Sequence, residues 1–216
     1  MNLGNLWDFI WSNIRTYRYL IVWLLLLTIL LLSFLWARGD EIDHLIFVYV
    51  NSHLPYNERT DWLMHVIGQF GTLWMGLVGM AVAFLLGYRD LAALGAGGMI
   101  LLWGLVRTIK SVTGRARPHI AVEGARLVGT VPTGLSFPSG HAAQSFFTAY
   151  YIVHAWRLGP ERWVLFAVAA LISYTRIYVG AHYPRDVVAG ALMGLVYGYL
   201  FVRIFPQLPF ALWLAR

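Results

Sequence analysis

Residues 91–118 read LAALGAGGMILLWGLVRTIKSVTGRARP, an uncharged apolar run from Leu91 to Val106 that gives way to Arg107, Lys110, Arg115 and Arg117 before Pro118. With its flanks the run is long enough, as a helix rising ~1.5 Å per residue, to cross ~30 Å of hydrocarbon. Pro118 ends any helix that carries it. The cations therefore gather where a membrane span meets water.

Working outward, Tyr19 to Ala37 and Trp62 to Leu86 are also free of charged residues, and three shorter apolar stretches run over 142–156, 163–175 and 187–202. The shorter ones must borrow flanking residues to span. Composition agrees: 59% of the 216 residues are hydrophobic and 12% charged, against roughly 45–50% and 25% in globular domains. The expected fold is an all-α polytopic bundle of six transmembrane helices, at about 19–37, 62–86, 91–109, 140–157, 163–180 and 186–204, in one domain over 1–216. The first run is longer than the ~7–15-residue core of a secretory signal and lacks a small-residue cleavage site, so it reads as a retained anchor. The absence of cysteine excludes disulfides, thiolate catalysis and cysteine-ligated metal.

Lysine and arginine positions set the orientation. A cytoplasmic N-terminus puts seven of them inside and nine outside, against the positive-inside rule. Five of the nine fall in two tight groups, Lys110/Arg115/Arg117 and Arg176/Arg185; if these serve a site, the remaining tally is seven to four and the orientation holds. The outer connections are then 38–61, 107–139 and 176–186. In the first, Ile42, Leu45, Ile46, Tyr49 and Val50 recur at helical spacing beside Asp40, Glu41 and Asp43, as in a helix lying in the interface or a capped connector.

The other two outer connections carry chemistry. KSVTGRARP puts six residues between Lys110 and Arg117; PSGH follows at Pro138 to His141; TRIYVGAHYPRD then brings Arg176, His182 and Asp186 at spacings of six and four. All stand at helix ends on one membrane face. Lys110, Arg117 and Arg176 would repel one another without an anion among them, and arginine's planar fork suits phosphate oxygens. Ser139 and Gly140 add a hydroxyl and free N–H groups at the positive end of a helix dipole. One such arginine alone reads as a snorkelling interfacial residue; three groups on one face read as a phosphate cradle.

A cradle does not need two histidines. His182 stands four residues before Asp186, a spacing at which a carboxylate can fix one imidazole nitrogen and leave the other as nucleophile. His141 is then placed to protonate the leaving oxygen as general acid, while the cations stabilise charge on the transferring phosphoryl group. His44, His53, His65, His119 and His154 read as structural, and Arg115 and Arg185 as lying outside the chemistry. Two histidines and one carboxylate amid three cations make a poor metal site, so no metal and no cofactor is expected.

These three segments together resemble the signature of the type 2 phosphatidic acid phosphatase superfamily: Lys, six residues, Arg-Pro; Pro-Ser-Gly-His; Ser-Arg, five residues, His, three residues, Asp. Thr175 stands where that pattern has serine and keeps the hydroxyl. The resemblance implies a six-helix membrane bundle and a metal-independent site. In it the counterpart of His182 is phosphorylated and that of His141 acts as acid and then base. The counterparts of Lys110, Arg117, Ser139, Gly140 and Arg176 hold the phosphoryl group, and Asp186 supports the nucleophile.

The expected function is hydrolysis of a membrane lipid phosphate at the outer face of the cell (inner) membrane. Undecaprenyl diphosphate is the favoured substrate, with phosphatidylglycerophosphate, phosphatidate and lipid A phosphate as alternatives. The partners are the substrate and the bilayer, with no nucleic acid. Two other classes are a lipid phosphotransferase of the same fold and a transporter, though a transporter needs no nucleophile, acid and carboxylate in register.

Overall fold

The computed structural model describes residues 21, 22, 24, 28, 37–155 and 158–204, and every regular element among them is helical. The expected first span over 19–37 lies almost wholly outside the described residues, and so does the chain after 204. Helix α1 (Ala37–Val48) continues into a single π-helical turn at Tyr49–His53. It exposes Ile42, Leu45, Ile46 and Tyr49 while burying Phe47 and the carboxylate of Asp43. Its apolar face points outward, as a helix in an interface requires, and its acid points in.

Helix α2 (Glu58–Gln69) begins at a reciprocal cap: Thr60 N–H donates to Asn57 Oδ1 at 3.0 Å and Asn57 N–H to Thr60 Oγ1 at 2.9 Å. Helix α3 (Leu73–Leu85) starts on its own cap, with Met75 N–H donating to Thr72 Oγ1 at 3.3 Å. The expected continuous span over 62–86 is therefore broken at residues 70–72, where α2 and α3 meet at 59°. Lack of charge told of solubility in lipid and nothing of helix continuity.

Helix α4 (Arg89–Thr113) contains the opening apolar run, and Gly114 closes it in the left-handed conformation at φ 65°, with its N–H on Lys110 O. Pro118 then occupies the first position of the short α5 (Pro118–Ala121), where its missing N–H costs nothing. Helices α6 (Gly140–Ala155), α7 (Arg162–Tyr178) and α8 (Pro184–Ile204) follow. By length and composition Arg89–Ala121 and Pro184–Arg203 can each cross a membrane, and α2 with α3 can do so as one bent pair.

The site owes its place to how α6 meets α8. At Gly190 an added Cβ would lie 2.3 Å from Ser139 O, so only glycine lets the two backbones approach this closely. That contact brings Ser139 N–H to 2.8 Å from Asp186 O and ties the PSGH turn to the start of α8. Two cores meet there. Phe47, Ile177, Tyr178, Tyr183 and Ala142 belong to one; Met99, Leu102, Phe147, Phe201 and Ala143 belong to the other, with Phe147 and Phe201 edge-to-face at 5.7 Å.

Candidate active site

Two helices end at the site and two begin there. Lys110 sits in the last turn of α4 and Arg176 in that of α7; Gly140 and His141 open α6, and Asp186 lies in the first turn of α8. The segment between α7 and α8 is short and bears His182. Buried Asn51 holds it, donating to Tyr178 O at 2.8 Å and to Arg126 O at 3.0 Å.

Lys110, Arg117, Gly140, His141 and His182 line one cavity of about 620 Å³. Arg117 and His141 also line a second, of about 340 Å³, together with Arg176, His65 and Gln69. Ser139 is fully buried behind them, its Oγ 3.5 Å from Ala142 N–H. All eight residues expected from the sequence therefore meet, with Arg117 and His141 shared by both chambers.

His182 is 2% exposed and Asp186 fully buried. The Asp186 carboxylate lies 3.6 Å from His182 Nδ1, charge-contact range and longer than a direct hydrogen bond. Ser136 stands between them: its hydroxyl donates to Asp186 Oδ2 at 2.5 Å and is 3.4 Å from His182 Nδ1. The other nitrogen, Nε2, faces Arg117 Nη1 at 3.3 Å. Burial pushes the His182 imidazole down to about 3, with Asp186 opposing the shift, against ~6.5 for a free histidine. Near neutral pH His182 is thus uncharged, and Nε2 keeps its lone pair toward the cations.

Backbone oxygens hold two of the cations, Lys110 and Arg117, and side chains hold the third, Arg176. Lys110 Nζ donates to Leu135 O at 2.7 Å and Ser136 O at 2.9 Å. Arg117 donates to Gly134 O, Thr133 O and Ala181 O at 2.8 to 3.0 Å. Arg176 reaches His141 Nε2 at 3.3 Å and Thr175 Oγ1 at 3.3 Å, so threonine at 175 supplies the hydroxyl that serine would. Its buried Nη2 has no hydrogen-bond partner among the described residues. Glycine at 68 leaves the room that the guanidinium occupies: a Cβ there would lie 2.1 Å from Nη2, and the arginine would have to shift.

The sequence puts Arg115 and Arg185 outside the chemistry; in the structure Arg115 touches the site residue Asp186, whereas Arg185 reaches the acids of α1. Arg115 donates to Asp186 Oδ1 at 2.6 Å and to Asp43 Oδ2 at 2.5 Å, and it stacks 4.1 Å from the Tyr183 ring centroid. Arg185 pairs with Asp40 and gives its backbone N–H to Asp43 Oδ1 at 2.8 Å. Asp186 thus accepts from Arg115, Ser136 and the Tyr183 N–H at once. Sequence spacing missed Arg115, Ser136, Asp43 and Gly68. Asp43 did carry a signal, since it shares the buried face of α1 with Phe47, four residues on.

Residues 91–209 match the PAP2 superfamily profile. The chain is 30% identical over 198 residues to the undecaprenyl-diphosphatase of Sulfolobus acidocaldarius, covering 88% of this chain and 92% of that one. It is 27% identical over 167 residues to the lipid A 4'-phosphatase of Helicobacter pylori, covering 76% and 81%. The crystal structure of the first transmembrane PAP2 type phosphatidylglycerolphosphate phosphatase from Bacillus subtilis superposes with a TM-score of 0.68 at 24% identity, covering 88% of this chain and 96% of that one, and shares the fold.

Proposed function

The chain belongs to the PAP2 superfamily and is a membrane lipid phosphatase, and on that premise we propose that it hydrolyses undecaprenyl diphosphate through a phosphohistidine at His182. The observation that carries the mechanism is the asymmetric setting of His182, whose Nδ1 faces Asp186 and Ser136 while its Nε2 faces Arg117 and the cavity. Nε2 attacks phosphorus, the P–N bond forms, and the P–O bond to the leaving group breaks. His141 gives its proton to the departing oxygen and then takes one from the water that releases phosphate. Lys110, Arg117, Arg176, Ser139 and Gly140 hold the equatorial oxygens. Asp186 steadies the imidazolium-like phosphohistidine.

In this reading residues 1–216 form a single domain of six spans in the cell (inner) membrane, with the N-terminus cytoplasmic and the site at the outer interface. Convergence of Lys110, Arg115, Arg117 and Arg176 on one site supports that orientation. Without those four, seven cations lie inside and five outside, which still obeys the positive-inside rule. The substrate follows the Sulfolobus relative, the alternatives being phosphatidylglycerophosphate, phosphatidate or lipid A phosphate. The test is phosphate release by detergent-purified protein from each of these lipids. The highest kcat/KM is expected with the diphosphate; a higher value with phosphatidylglycerophosphate would transfer the assignment to that lipid.

Arg115 enters as a positioning residue acting through Asp186. Arg115→Lys keeps the charge but cannot bridge Asp43 and Asp186 with one planar fork, so turnover should fall roughly tenfold, less than the ~10²–10³-fold cost of deleting a donor to the transition state itself. Arg89→Lys, at the far end of α4, should have no effect. Single-turnover phosphorylation of His182 measures both, and equal rates in the two variants would remove Arg115 from the mechanism.

A further inference from the structure

Arg107 lies on α4 one helical turn before Lys110, and it lines the same 620 Å³ cavity as Lys110 and His182. Its guanidinium stacks on Trp103, 4.8 Å from the ring centroid. The ion pairs of the described residues join Arg115, Arg126 and Arg185 to carboxylates, and none of them takes Arg107. Among the described residues, no backbone oxygen holds it as Leu135 and Ser136 hold Lys110. Trp74, largely exposed, and Trp103, half-buried, line the cavity with Val106 and Leu73 and make its apolar flank. Indole rings of this kind sit at the headgroup level of a bilayer.

Along α4 the order is therefore fixed: Trp103 beside the tail, Arg107 next, then Lys110 at the cradle. Each step is about one turn, roughly 5 Å of rise. A lipid whose scissile phosphate lies at Lys110 and His182 must pass Arg107 on its way to the apolar flank. We propose that Arg107 forms a subsite for a second phosphate, bonded directly to the scissile one on its tail side, so that this chain selects lipid diphosphates over lipid monophosphates. The proposal rests on the diphosphate reading above and deepens it.

A planar fork pre-stacked on an aromatic ring meets the requirement for bidentate phosphate recognition. It also acts during the reaction. When His182 Nε2 takes the terminal phosphoryl group, the bridging oxygen keeps the electron pair of the broken P–O bond and leaves on the lipid monophosphate. Arg107 neutralises charge on that departing group; a phosphatidate, whose tail-side neighbour is an uncharged glycerol, gives it nothing to hold. A merely snorkelling arginine would make no such distinction.

The experiment compares kcat/KM of wild type, Arg107→Gln and Arg107→Lys on undecaprenyl diphosphate and on phosphatidate in the same detergent micelles. Arg107→Gln should lose roughly tenfold more on the diphosphate than on phosphatidate, the loss expected of a charge-assisted hydrogen bond to an ion. Arg107→Lys should fall between, keeping charge without the fork. Equal losses on both lipids, or none on either, would overturn the subsite and leave the diphosphatase reading intact. A wild type that cleaves phosphatidate and not the diphosphate would overturn both.

Discussion

His182→Ala abolishes phosphate release from every lipid phosphate, by roughly 10⁴-fold or more, the scale on which loss of a positioned nucleophile is felt. Among the described residues, no other group is placed to replace it. Lys110 Nζ is committed to Leu135 O and Ser136 O, and His141 is directed at Arg176. The fold should survive, because the partners of His182 keep other contacts without it: Asp186 still accepts from Arg115, Ser136 and Tyr183 N–H, and Arg117 still donates to three backbone oxygens. Phosphate release measured with correctly folded, detergent-stable variant is the check; turnover above a hundredth of wild type would mean that water attacks phosphorus directly.

The second large effect separates the histidines by their chemistry. A general acid matters in proportion to the basicity of the group that leaves. An alkoxide leaving from phosphatidate needs a proton badly, a phosphate leaving from a lipid diphosphate less, and a nitrophenolate hardly at all. His141→Gln should therefore slow single-turnover phosphorylation of His182 by ~10²–10⁴-fold with phosphatidate, moderately with the diphosphate, and little with nitrophenyl phosphate. Single turnovers are required because release of phosphate uses His141 again as base. A loss of equal size across the three leaving groups would make His141 a phosphate-binding donor only. Its contact with Arg176 at 3.3 Å would then be its working geometry.

Much of the site could be read from the chain because each of its parts is local. Lys110 to Arg117, Pro138 to His141 and Arg176 to Asp186 are short segments, and the helix ends that orient them follow from proline, glycine and apolar runs. What stayed hidden depends on distant pairing. Asp43 and Arg115 are 72 residues apart and Arg115 and Asp186 are 71 apart, so no spacing rule links them. They meet because α1 turns its apolar residues outward and its acid inward, the reverse of what a soluble helix does. Gly68 was equally silent, since its value lies in the absence of a side chain beside Arg176. The break between α2 and α3 did leave a trace, in Gly71 followed by the capping Thr72, but a charge-free run conceals such punctuation.

Substrate phosphorus should pass through His182 Nε2, and the most direct measurement is to trap it there. Wild-type protein mixed with lipid diphosphate labelled in its terminal phosphate, quenched in alkali within one turnover and digested, should yield one acid-labile, alkali-stable labelled peptide containing His182, and none from His182→Ala. Label on a peptide containing His141, or no label on protein while phosphate is released at the wild-type rate, would contradict the phosphohistidine account.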